Sequence, residues 1–170
     1  MNKYAADPKT TTLEAAKIWL RGEVAAGAKC PCCSQLALLY KRPLTSAMTR
    51  VLIALHRRKA SGDWVHVQRF MSEAKFPPSI AASGDYAKLR YWGFIEQQEG
   101  EREDGSSRNG FWRITDKGRA FAKGETRVPG HAFVFADRVL RFDEKRLVDV
   151  RDALGKKFRY DDLMRGDSAA

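Results

Sequence analysis

Three cysteines fall within the heptapeptide Lys29-Cys30-Pro31-Cys32-Cys33-Ser34-Gln35. Cys30 and Cys33 have the C-x-x-C spacing at which a tight turn aims two thiolates at one ion, so the chemistry to expect is a soft-metal site, zinc first. A structural zinc takes four ligands, and the chain has no second C-x-x-C pair. The remaining soft ligands are Cys32, His56, His66 and His131, of which Cys32 or His131 is the first candidate and His66 a further one to complete the set, and a homodimer could also supply the missing half. The competing reading is three small apolar side chains packed in a turn. A redox pair fits less well, because no thioredoxin-like strand–helix pattern surrounds the motif.

A second chemical signal runs from Gly93 to Thr115, GFIEQQEGEREDGSSRNGFWRIT. Two short apolar stretches flank a long polar tip. Glu96 to Asp104 holds five carboxylates and one arginine, a sign that repels a phosphate backbone at short range. No G-x-x-x-x-G-K-[ST] or G-x-G-x-x-G loop is present, and no serine lies in a nucleophile elbow. The three histidines are scattered. Asp161 and Asp162 read as helix-capping acids rather than a catalytic pair. The expectation is a protein that is not an enzyme.

The charge is large and uneven. The 170 residues carry a formal +10. Residues 1–60 hold 11 Lys/Arg against 3 Asp/Glu, residues 61–110 hold 6 against 8, and residues 111–170 hold 14 against 10. A basic excess suits polyanions, because Lys and Arg displace condensed counterions from phosphates. At 44% hydrophobic and 31% charged, the chain can build a packed core. No apolar run approaches the ~18–20 residues that span a bilayer, and no export signal is visible at the N-terminus. The expected location is the cytoplasm, with reduced cysteines, no membrane and no disulfides.

These groups need elements to position them. Leu13, Ala16, Leu20 and Val24 predict a first helix. Met48, Val51, Leu52 and Leu55 recur at i, i+3, i+4 and i+7, which predicts a second from Thr45 or Ser46. Val67, Phe70, Met71 and Ala74 predict a third, which Pro77 and Pro78 break. Ser79 is the expected N-cap of a fourth, burying Ile80, Tyr86 and Leu89 and ending at Gly93. Phe94–Gln98 and Phe111–Thr115 predict a hairpin, and Thr115–Asp116 caps a short helix. Past Pro129, HAFVF and RVLRF predict a hairpin turning at Ala136–Asp137. Asp143–Leu154 predicts a last helix, and the end reads as a polar tail. The fold class is α+β. The parts are residues 1–43 (helix and cysteine knuckle), 44–127 (three helices, hairpin, helix) and 128–170 (hairpin, helix, tail).

Three helices followed by a hairpin is the plan of a winged helix-turn-helix, and the wording agrees. YAKLRYWGFIE resembles the L-x-x-x-G-L-I-E that leads a recognition helix into its wing. FWRITDKGRAF resembles the Y-x-L-T-x-K-G-R that leaves it. Both are similar to MarR-type regulators. CPCCSQLALLYKRPL, VPGHAFVF and ALGKKFRYDDLM further resemble small phage and prophage proteins that carry no known activity.

The resemblance implies a regulatory protein on double-stranded DNA, commonly a homodimer. The leading half of its fourth helix would enter the major groove. That puts Ser79 and Ser83 at the groove, with Lys88 and Arg90 further along. Arg57, Arg58 and Lys59 would lie on phosphate, and Arg102 and Arg108 would reach from the wing. Lys41, Arg42, Arg50, Lys117, Arg119, Lys123 and Arg127 complete the expected basic surface. No Arg, Asn or Gln stands between Ser79 and Asp85 to read a base edge, so contact is expected mainly with backbone phosphate. The alternative on the same fold is a protein–protein module or accessory factor, stapled by zinc in a third version.

Overall fold

The computed structural model describes residues 11–58, 62–100 and 110–166. It mixes helix and antiparallel strand and divides into two compact units, residues 1–42 with 132–142 and residues 43–131 with 143–170. The hairpin past Pro129 therefore groups with the N-terminal segment. The C-terminal helices group with the central one.

In the first unit, α1 (Leu13–Glu23) starts at Thr12, whose hydroxyl accepts from the Ala15 amide at 3.2 Å. Ala16 is its one buried residue, and Leu13, expected inward, is 59% exposed. Strands β1 (Ala28–Lys29) and β2 (Leu36–Ala37) pair antiparallel across the cysteine turn. Strand β3 (Tyr40–Pro43) lies at one edge of a second sheet.

The second unit is built around α2 (Ser46–Arg57). The Thr45 hydroxyl caps it by accepting from the Met48 amide at 3.3 Å. The apolar stripe is buried as its spacing predicts, and Thr49, Arg50 and Ile53 are buried too. The reason is that α2 is a central helix, packed by neighbours on several sides. Strand β4 (Val65–His66) leads into α3 (Val67–Glu73), which buries Val67, Phe70 and Met71.

The expected fourth helix is not continuous. A four-residue α4 (Pro78–Ala81) gives way to a 3-10 helix (Asp85–Trp92), separated by Gly84 at φ +67°. Pro77, not Ser79, occupies the N-cap position of α4. The Ser83 hydroxyl closes α4 by donating to the Ile80 carbonyl at 2.9 Å, and it accepts from the Asp85 amide at 3.2 Å. Tyr86, Leu89 and Trp92 recur every three residues, which in a 3-10 helix stacks them on one side. Leu89 and Trp92 are buried there. Tyr86 meets Trp112 edge-on at 6.0 Å.

Beyond Gly93, β5 (Ile95–Gln97) and β6 (Phe111–Ile114) form the expected antiparallel pair, with Ile95 opposite Ile114. β4 joins on the other side of β6, giving the order β4-β6-β5. The acidic stretch 101–109 lies outside the described residues. Thr115 caps α5 (Asp116–Ala122) as expected, accepting from the Gly118 amide at 3.0 Å. Phe121 of α5 stacks on Phe94 at 4.6 Å, and both are fully buried.

Next come β7 (Val128–Pro129), β8 (His131–Phe135) and β9 (Arg138–Phe142). β8 and β9 turn at Ala136 and Asp137, both at positive φ, and join β3 in the first unit's sheet. The helix predicted over Asp143–Leu154 starts late. Leu147–Val148 is a strand, β10, paired with β7. Helix α6 (Val150–Leu154) begins only where Asp149 and Asp152 form a reciprocal capping box. The expected frayed tail contains α7 (Tyr160–Arg165), with Leu163 buried and the Tyr160 hydroxyl donating to the Ala122 carbonyl at 2.9 Å. Among the described residues no helix is long and apolar enough to cross a membrane.

Candidate nucleic-acid interface

In the second unit the leading end of α4 is open to solvent: Pro77, Pro78 and Ser79 are exposed, as are Ala82, Ser83 and Gly84 beyond it. A helix N-terminus ordinarily offers free backbone amides to a phosphate. Pro77 and Pro78 have no N–H, and the Ile80 and Ala81 amides already donate to the Pro77 carbonyl at 2.9 and 3.1 Å. The segment thus offers side chains and exposed backbone rather than an amide-lined anion site. Ser79 is free of any capping duty, while Ser83 is tied up in closing α4.

The expected cations divide by what holds them. Lys88 forms an ion pair with Asp85 one turn earlier. Arg90 is half-buried, 5.2 Å from the Tyr91 ring. Arg57 is exposed and donates to the Arg165 carbonyl at 3.1 Å. Arg58 lies 5.8 Å from the Phe70 ring. Lys59, Arg102 and Arg108 lie outside the described residues.

Around α5 and beyond, Arg119 pairs with Asp116, Lys123 with Glu125, and Arg127 with Asp152, at 3.0 to 3.3 Å. Pairing in water is worth little to stability, but each carboxylate offsets the charge a phosphate would feel. Arg50 is the clearest correction. Expected on the open surface, it is only 9% exposed and packs against phenylalanine.

Sequence reasoning missed a polar cleft of about 340 Å³ beside the β5–β6 pair. Glu96, Arg113, Asp116 and Arg119 line it, and Arg113 stacks 4.5 Å from the Trp64 ring. Its charges satisfy one another: Arg113 pairs with Glu96 across the strands, and Arg119 with Asp116 along α5. Only the Glu96–Arg113 register could have signalled it.

The cysteine turn belongs to the first unit. The Cys30 amide donates to the Gln35 carbonyl and the Ser34 amide to the Cys30 carbonyl, each at 2.8 Å. Ser34 takes φ +60° to close the turn. Backbone amides of Cys33 and Cys32 donate to the Cys30 sulfur and lower its pKa below the ordinary thiol value. Cys32 is exposed, and partial desolvation, then the Cys30 charge, raises its pKa. Two amides aimed at one sulfur is the arrangement that stabilises a thiolate. Among the described residues, however, no group of three or more His, Cys, Asp or Glu is placed to hold a metal. His131, the expected further ligand, belongs to the second unit.

The chain matches no protein-family model, no curated protein and no solved structure.

Proposed function

We propose that this chain binds double-stranded DNA on a winged-helix plan, in a regulatory role, with Pro77–Gly84 toward the groove. One observation supports this above others. The order helix, strand, helix, helix, 3-10 helix, strand, strand, helix is carried on a β4-β6-β5 sheet, and the leading end of its third helical segment, α4, is open to solvent. Ser79 is then the side chain nearest the groove, with Arg57 and Arg58 toward phosphate. Sequence preference is weak, because nothing from Ser79 to Asp85 makes a bidentate base contact. Origin among phage or prophage proteins, and a homodimer, belong to the same proposal and rest on the resemblance.

Fluorescence anisotropy with a labelled duplex at 25–300 mM salt tests it. Binding should weaken with a slope of log K on log salt of about −3 or steeper, three or more phosphates at about 0.9 each. Absence of binding at the lowest salt defeats the proposal.

A second reading is favoured by the ion pairs. Lys88, Arg113, Arg119, Lys123 and Arg127 each carry an internal carboxylate partner. Such a surface suits a protein partner, where matched charges fix register more than they add attraction. This reading gains if duplex binding is absent while a protein complex persists above 300 mM salt. Zinc at Cys30 and Cys33 would serve either reading as a staple of the first unit.

A further inference from the structure

Arg50 and Thr49 are the polar or charged residues buried in the described structure. Thr49 is satisfied, its hydroxyl donating to the Thr45 carbonyl at 2.9 Å. Arg50 is not: its Nε is buried without an acceptor, and among the described residues no carboxylate pairs with it. Its guanidinium carbon lies 4.4 Å from the Phe158 ring centroid and 5.9 Å from that of Phe76. Those rings lie against the guanidinium, and of its nitrogens only Nε is both fully buried and without a partner. A cation so placed is costly unless an anion completes it. A leucine or methionine would fill the same space without that cost.

The neighbours are basic. Phe158 sits in the segment Gly155–Arg159 between α6 and α7, which also carries the exposed Lys156 and Lys157. The Lys157 ammonium is 5.7 Å from the Phe158 ring. Phe76 follows the exposed Lys75, which takes φ +55°. Asp162, the acid of α7 closest in sequence to Phe158 after Asp161, is engaged by Arg165 and Arg159, and Asp161 by Arg151.

We propose that Arg50, clamped by Phe158 and Phe76 and assisted by Lys157, is a binding site for one phosphate oxyanion, supplied by the backbone of bound DNA. A guanidinium fork matches two phosphate oxygens in a way that an ammonium does not. The DNA source rests on the reading above, because Phe76 stands directly before the exposed Pro77–Ser79. The oxyanion site does not depend on it.

The test compares wild type with Arg50→Met, Arg50→Lys and Lys157→Gln, using duplex anisotropy, urea unfolding and a thermal melt with inorganic phosphate or pyrophosphate. Arg50→Met should fold at least as stably, lose about tenfold in duplex affinity, and flatten the salt slope by about 0.9. Arg50→Lys should keep the slope and lose affinity. Lys157→Gln, at an exposed position, serves if Arg50→Met fails to fold, and should flatten the slope with an unchanged urea midpoint. Equal duplex affinity and slope in wild type and all variants overturns the DNA source, and if phosphate also stabilises wild type and the Arg50 variants equally the site falls with it. If wild type binds no duplex but phosphate raises its melting temperature and not that of Arg50→Met or Arg50→Lys, the oxyanion site stands and the DNA reading falls. If neither ligand has any effect on wild type, both fall.

Discussion

Cys30 and Cys32 stand two residues apart and titrate in opposite directions. The Cys30 pKa is lowered by the amides of Cys33 and Cys32, and that of the exposed Cys32 is raised by partial desolvation and by the Cys30 charge. Alkylation needs the thiolate. In variants that retain one cysteine each, the iodoacetamide rate at Cys30 should therefore rise at lower pH than the rate at Cys32. The backbone amides survive Cys→Ser changes, so the order should persist. Coincident or reversed midpoints would mean the amides do not hold the Cys30 sulfur.

The C-x-x-C spacing was enough to locate this turn. Its hydrogen bonds were not legible, because they depend on Ser34 adopting φ +60°, and a serine gives no warning of that. Arg50 misled for a related reason. A cation at i+1 of a buried i, i+3, i+4 stripe reads as solvent-facing unless further elements are known to cover the helix.

At the scale of elements, α2 carries a pH-sensitive group. His56 lies at its C-terminal end, with Nδ1 buried and without a hydrogen-bond partner. Its pKa is lowered from 6.5, first by burial, then by Lys123 and Arg119. A histidine depressed in the folded state takes up its proton first in the unfolded chain. Stability should thus be flat above the unfolded value and fall as pH drops below about 6.5. Urea midpoints from pH 7.5 to 5.5 should decline in wild type and decline less in His56→Gln. Equal declines would remove His56 as the cause.

Helix α5 offers a test by sign. Gly→Ala inside a helix ordinarily stabilises by ~1 kcal/mol. At Gly118 an added Cβ would collide with the Phe94 carbonyl oxygen, so Gly118→Ala should instead destabilise by about 1–3 kcal/mol. A raised urea midpoint would show that α5 does not press on Phe94. The helix itself was legible from Thr115 and Asp116, but this close approach was not.

The 86, 89, 92 spacing is the signal that could have separated the 3-10 helix from an α-helix. Period 3 is easily taken for one flank of period 3.6. β4 and β10, at two residues each, are too short for alternation to register. The late start of α6 was signalled by Asp149 and Asp152, an acid pair at N-cap and N3.

Across the whole molecule, +10 is a sum that hides its arrangement. Lys88, Arg113, Arg119, Lys123 and Arg127 of the second unit each sit beside a carboxylate, so on the proposed DNA reading Arg57, Arg58, Arg50 and Lys157 are the cations to test first. Legible in the sequence were the α+β class, the β5–β6 hairpin with α5 after it, and helices α2 and α3, but not β4 or the break between α4 and the 3-10 helix. Which cations are spent internally was not legible, because a pair such as Arg127 and Asp152 joins residues far apart in the chain.

The interface itself is most directly tested by a 15N–1H correlation spectrum of the labelled protein titrated with a short duplex at 25 mM salt. The amides of Ser79–Gly84, with those of Arg57 and Arg58, should shift together and saturate. Saturating shifts confined to other surfaces, with Ser79–Gly84 unmoved, would contradict DNA binding through this face.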